Sequence, residues 1–195
     1  MAVEIVDPTI PVVKNLLLLD AEGKRIAVKY FTPDLNSVTA QANYEKSVFV
    51  KTSRTNARGE AEIIMFDDVV VVYKFLGDLM FYVTGDQDEN EVVLYTVLQA
   101  FYESINLLLR NAVEKKTVLE NLDLVLLAMD EIVDGGLILE TDAGTVATRV
   151  TMRQDGDGSP LSMEAASAGV NNPGLVTLSQ AFGSIKDQVA RSLLK

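Results

Sequence analysis

The chain contains no histidine, no cysteine and no tryptophan, and the first two absences remove most of the familiar reactive chemistry. Without them there is no Ser–His or Cys–His nucleophile pair and no zinc site of the usual ligand set. No disulfide can form, and no Asn-x-Ser/Thr sequon occurs, a combination that fits a cytosolic protein. No run of about 18 uncharged apolar residues is present, so nothing is expected to span a bilayer. Met1-Ala2-Val3-Glu4 lacks the basic-then-apolar pattern of a signal peptide, and Ala2 stands where N-myristoylation requires glycine. Leu193-Leu194-Lys195 carries no prenylation cysteine. Phosphate-cradling loops of the Gly-x-x-x-x-Gly-Lys or Gly-x-Gly-x-x-Gly type are absent as well.

Basic residues are also in short supply, 17 against 28 acidic ones, for a formal net charge of −11. The deficit is local. Residues 59–142 carry 4 basic and 18 acidic groups, whereas residues 1–58 carry 8 and 6 and residues 143–195 carry 5 and 4. An acidic body argues against nucleic acid or an anionic membrane as a direct partner, because both would be repelled. What is abundant is apolar side chain, 48% of the 195 residues, enough for one packed domain with an appendage that buries about 70% of its unfolded surface.

Asn15-Leu16-Leu17-Leu18-Leu19 and Arg25-Ile26-Ala27-Val28-Lys29-Tyr30-Phe31, separated by a glycine-containing turn, read as a hairpin. Pro33-Asp34 then resembles a helix start, and Leu35, Val38, Ala42 and Phe49 at helical spacing predict a helix of roughly 34–54 with one apolar face. Three strands follow: Glu60 to Phe66, Val69 to Leu76 and Leu79 to Thr84. The four consecutive valines of the second suit a strand buried on both faces. After an acidic gap, helices are expected near 92–110 and 117–134. In the first, Thr96, Gln99, Glu103, Asn106 and Arg110 form a polar stripe opposite Leu94, Leu98, Phe101, Ile105 and Leu108, with Tyr95, Tyr102 and Leu109 on a shoulder. The second puts Leu119, Leu122, Leu126, Met129 and Val133 on one face; Val118, Val125 and Ile132 extend it, and Leu127 interrupts the polar line Glu120, Asp123, Asp130, Asp134. Asp134-Gly135-Gly136 is expected to stop that helix.

The fold class predicted is α+β, in the order β-β-α-β-β-β-α-α, with a five-stranded antiparallel sheet covered by helices. The domain is placed at 1–142. Residues 143–195 read as a weakly patterned tail ending in an amphipathic helix at about 177–194, on Leu178, Phe182, Ile185, Val189 and Leu193.

Two acidic stretches mimic the start of a calcium loop and fail. Asp86, Asp88 and Asn90 are followed by Glu91 where glycine must turn and by Val97 where a bidentate Glu must sit; the stretch from Asp155 has Ala166 at its twelfth position. No metal, cofactor or catalytic residue is therefore assigned, and the chain is expected not to be an enzyme. Lys46, Lys51, Arg54 and Arg58, with Arg25 at the first hairpin, form a candidate patch for an acidic partner, or a solvated helix end. The helices at 92–134 carry more apolar circumference than a small free-standing domain can cover. Tyr95, Tyr102 and Leu109, with Val118, Val125, Leu127 and Ile132, are the face expected to meet another protein.

Several of these stretches resemble a known family. The run from Leu16 to Arg25, Tyr30-Phe31, Val72-Tyr73-Lys74-Phe75, Asn90-Glu91 and above all Met129-Asp130-Glu131-Ile132-Val133-Asp134-Gly135-Gly136 with Leu139-Glu140-Thr141 are similar to the small sigma subunits of clathrin adaptors. The block from Asp130 to Asp142, Glu114-Lys115-Lys116 and the ending Ala190-Arg191-Ser192-Leu193-Leu194-Lys195 look most like the zeta subunits of coatomer, the COPI vesicle coat. The resemblance covers residues 12–142 and implies a longin-type fold. It implies a non-catalytic coat subunit clasped by the N-terminal solenoid of the coatomer gamma-type large subunit, alongside the other coatomer subunits. The complex would be recruited to Golgi membranes by an Arf-type GTPase, so GTPase and membrane are reached only indirectly. It also implies dileucine-pocket positions at Gly77, Tyr102 and Ala112 with Arg25 near the acidic end, and the bulk of Tyr102 predicts a closed pocket. A sigma-type clathrin adaptor subunit and a longin-type GTPase-regulatory module are the alternatives.

Overall fold

Each strand of the first hairpin is fixed by what lies on its two sides. In a computed structural model, which describes residues 10–55 and 57–155, Val13–Asp20 forms β1 and every residue of it except Lys14 is buried. Leu16 and Leu18 point to one face of the sheet and Leu17 and Leu19 to the other. The Asp20 carboxylate closes the turn by accepting from the backbone N–H groups of Glu22 (2.9 Å) and Lys24 (2.8 Å). Gly23 takes φ +75°, and a Cβ there would meet the Phe49 ring at 2.5 Å. β2 follows at Arg25–Tyr30.

The expected helix at 34–54 is shorter. Pro33–Leu35 makes only a 3-10 turn. Ser37, with extended backbone, then caps α1 at Val38–Thr52 by accepting from the Ala40 N–H at 3.1 Å. Its inward face is not the one the spacing suggested: Glu45, Val48 and Thr52 are buried, whereas Val38 is 75% exposed. Helix and sheet meet here through phenols and their polar partners. The Tyr30 hydroxyl donates to Glu45 (2.7 Å), Thr52 pairs with Tyr82 (2.9 Å) and Tyr44 with Thr84 (2.9 Å).

Glu62–Phe66, Val69–Leu76 and Leu79–Asp86 form β3, β4 and β5. The sheet order is β2-β1-β5-β4-β3, antiparallel throughout. One face packs Leu16, Leu18, Val70, Val72, Phe81 and Val83 against helices; the other packs Leu17, Leu19, Val71, Tyr73 and Tyr82 beneath α1.

Asn90 caps α2, Glu91–Leu108, by accepting from Val92 N–H at 2.9 Å. Phe101 of α2 meets Phe81 edge-on with ring centres 5.2 Å apart. The helix expected at 117–134 is broken at Asn121 into α3, Lys115–Glu120, and α4, Leu122–Ile132. Gly135 (φ +56°) and Gly136 (φ +87°) turn a small hairpin, β6 at Val133–Asp134 and β7 at Leu137–Ile138. A further helix, α5, runs from Ala143 to Asp155. It packs on α2 and α4, with Ala143, Val146 and Val150 buried. The boundary placed at 142 therefore cuts through packed structure: within the described residues, α5 shares the core of the elements before it. The helix expected at about 177–194 lies outside the described residues.

If α5 is part of the folding unit, deleting its buried methyl groups must cost global stability. Val146→Ala with Val150→Ala should lower the unfolding free energy by about 2 kcal/mol each, at ~0.8 kcal/mol per buried carbon plus a cavity term. Urea denaturation with an unchanged midpoint would show α5 to be dispensable.

Candidate partner interface

The helical layer offers apolar side chains to the outside in two places. On α2 the polar stripe predicted from spacing is flanked by Val92 (70% exposed), Tyr95 and Leu107. On α3 and α4 the outward residues are Leu119 and Leu126, with Leu122 and Leu127 half-buried beside them. Tyr102 is half-buried, its ring edge-on to Phe81 and its face 5.0 Å from the Lys74 ammonium.

This divides the expected face. Tyr95, Tyr102 and Leu127 lie at or near the surface, but Leu109, Val118, Val125 and Ile132 are within the chain's own core, each 6% exposed or less. The assignment of those four to an outside face is corrected, and the stripe read as Leu119, Leu122, Leu126, Met129 and Val133 is split, with Met129 and Val133 buried and Leu119 and Leu126 outside. α4 packs on α2, β2 and α5 at once. Its covered arc therefore runs from Leu124 through Ala128 and Ile132 to Met129, wider than a helix resting on one neighbour needs.

The polar signal that would have located α5 is Glu131. It is 7% exposed, a burial that a carboxylate tolerates only with charged partners. Arg153 reaches it at 2.7 Å and Arg149 at 3.8 Å, while Arg149 also holds Glu140 at 3.1 Å. In the sequence the hint is a glutamate set among Met129, Ile132 and Val133 and two arginines four residues apart at positions 149 and 153, with nothing local to join them.

A second buried carboxylate positions α3. Asp20, 1% exposed, receives the Lys115 ammonium at 2.7 Å in addition to its two turn amides. Burial alone would raise its pKa, but the Lys115 ion pair and the Lys24 and Glu22 amides together outweigh burial and hold it below 3.8. This link fixes the segment that displays Leu119.

The basic patch is only partly assembled. Arg25 is committed to Glu45, through contacts of 2.5 and 3.2 Å. The Lys51 ammonium lies 3.8 Å from the centre of the Phe66 ring, and Arg58 donates to the Gly77 carbonyl at 3.3 Å. Lys46 and Lys51 share a shallow depression on α1 with Ser47 and Val50, and Lys46 and Arg54 are exposed. Of the dileucine-type positions, Ala112 is exposed, Gly77 lies against the Val113 carbonyl, and the Tyr102 ring occupies the space over Phe81. Among the described residues no group of three acidic side chains is placed to hold a metal ion, and no helix is long and apolar enough to cross a membrane.

A five-stranded antiparallel sheet with one helix on its first face and a helical layer on the other is the fold of adaptor-type small subunits. The chain belongs to the clathrin adaptor complex small chain family, whose model matches residues 12–157. It is 48% identical to coatomer subunit zeta-1 of Oryza sativa subsp. japonica over 184 residues, 94% of this chain and 97% of that one. Against coatomer subunit zeta-1 of Bos taurus it is 41% identical over 191 residues, 98% of each. A chain in a homology model of the full-length AP-3 complex in a stretched open conformation superposes with a TM-score of 0.60. The identity is 19%, over 74% of this chain and 94% of that one, a likeness of fold.

Asp20 supplies a pH test of the α3 anchor. Because its folded pKa is depressed, its contribution is present above 3.8 and is lost as pH falls through the folded value. Asp20→Asn should cost about 1–3 kcal/mol at pH 7, and the deficit should close as denaturation is repeated below pH 4. A deficit independent of pH would mean that packing, not the ion pair, holds α3.

Proposed function

We propose that this chain is the non-catalytic small subunit of the COPI vesicle coat, lodged in the N-terminal solenoid of the gamma-type large subunit and stabilising it. The supporting observation is the similarity to coatomer zeta proteins of both plants and mammals over nearly the whole of each chain. In this reading the protein works in retrograde Golgi-to-ER and intra-Golgi transport. It is cytoplasmic and peripheral on Golgi membranes and COPI-coated vesicles. Membrane and Arf-type GTPase are reached through the complex, in keeping with the excess of acid between residues 59 and 142, which disfavours direct contact with anionic lipid.

The docking face follows from exposure. Tyr95, Tyr102 and Leu127 remain from the face read in the sequence, joined by Leu119 and Leu126. Aromatic and leucine side chains of this kind act as anchors when a partner covers them. The Tyr102 ring beside Phe81 supports a closed dileucine-type site, so that the chain does not take such peptides by itself.

Co-expression with the N-terminal solenoids of coatomer gamma and of a clathrin-adaptor large chain, followed by size exclusion, separates the readings. Co-elution with gamma alone is expected; co-elution with the clathrin chain would make this a sigma-type subunit. Leu126→Asp and Tyr95→Asp should each weaken the gamma complex at least tenfold, about 1.4 kcal/mol, while leaving the isolated fold intact. Undiminished binding by both would move the interface elsewhere.

A further inference from the structure

The two edges of the sheet are treated differently. β2, at one edge, is tied to helices on both sides: Lys29 pairs with Asp130 of α4, and Arg25 pairs with Glu45 of α1. β3, at the other, pairs with β4 alone and makes no ion pair among the described residues. Sheet proteins ordinarily blunt a free edge with lysine, proline or a bulge. β3, Glu-Ile-Ile-Met-Phe, has neither residue, and its register with β4 runs without a shift.

The direction of its backbone groups can be worked out. The Phe75 N–H of β4 donates to the Ala57 carbonyl on the β3 side. Backbone groups alternate along a strand, so Tyr73, Val71 and Val69 also face β3. Through the register Glu62↔Tyr73, Ile64↔Val71 and Phe66↔Val69, these three β3 residues hold the ladder. Ile63 and Met65 accordingly turn their N–H and C=O groups outward. The same two residues carry exposed apolar side chains, 51% and 63%, on one face of the sheet.

We infer that the outer edge of β3 is a docking site for an extended segment of a partner polypeptide, alternately apolar and flanked by basic residues, which adds to the sheet as a sixth strand. Ile63 and Met65 supply both the main-chain bonds and the apolar contacts of such an addition. Charge selects the occupant. Residues 59–68 hold Glu60, Glu62, Asp67 and Asp68 and no basic residue. Two ammonium groups close to this segment are engaged, Lys51 over the Phe66 ring and Lys74 with the Gly59 carbonyl. A second copy is disfavoured: the antiparallel register that sets Ile63 against Met65 also sets Glu60 against Asp68, and like charges facing across strands destabilise.

The test is a titration of the full-length, isotopically labelled chain with two heptapeptides, Lys-Val-Thr-Val-Thr-Val-Lys and its counterpart with glutamate at both ends. The basic peptide should shift the Ile63 and Met65 amide resonances saturably and bind at least tenfold more tightly than the acidic one. Met65→Pro removes an outward N–H without breaking a β3–β4 bond and should weaken binding at least tenfold. The double change Ile63→Lys, Met65→Lys at the two exposed positions should do the same, and it decides the matter if the proline variant does not fold. Equal binding of both peptides, shifts confined to other residues, or unaltered binding by the variants would overturn the proposal. Concentration-dependent dimerisation abolished by Met65→Pro would overturn it too, by making the occupant a second copy.

Discussion

Burial of the three inner strands on both faces is the constraint from which the rest of this structure follows. β1, β4 and β5 are apolar on alternating and intervening positions alike, so neither face can be left to water. A sheet of this kind requires cover on each side. Here α1 supplies it on one face and the α2, α4 and α5 layer on the other. The two covers are built on different physics. The α2 side is an apolar interior with Phe81 and Phe101 at its centre. The α1 side carries phenols and hydroxyls whose hydrogen bonds must be satisfied where water is excluded. Burial lifts the Tyr73 phenol to about 12, reinforced by its bond to Glu62, and burial together with Glu45 pushes that of Tyr30 well above its usual value.

The helical layer raises a second covering problem, and its solution changes the meaning of the sequence pattern. α2 and α4 are apolar over more than one stripe, which in isolation points to a partner. Much of that excess is covered by α5, fastened through the buried Glu131 to Arg149 and Arg153. The apolar surplus left outside is correspondingly narrower: Val92, Tyr95, Leu107, Leu119, Leu126 and their half-buried neighbours. With α5 in place the core of the helical layer is closed and only a limited apolar face is left outside.

The order of elements along the chain and the family were legible because each rests on local signals. The four valines of β4, the glycine turn after Asp20, the acidic gap ahead of the α2 periodicity and the Met129 to Gly136 run all act within a few residues. The α5 segment was not legible because it is short of leucine and aromatics; its burial depends on three small side chains and two arginines whose partner lies on another helix. The partner face on α4 was misplaced for a related reason, since Val125 and Ile132 are buried. Periodicity identifies which side chains share a stripe, and it says nothing about how many neighbours a helix has.

By itself the sequence determined the α+β class, the order of the elements, the absence of histidine and cysteine chemistry and membership of an adaptor-type family. These are properties of composition and short-range pattern, which survive without knowledge of what packs where. Only the tertiary structure decided which carboxylates are buried, which stripe of α4 faces inward, and which backbone groups of β3 face outward. Each of those depends on contacts between residues far apart in the chain, Asp20 with Lys115, Glu131 with Arg153, Phe75 with Ala57, and burial is a property of such contacts rather than of any residue alone.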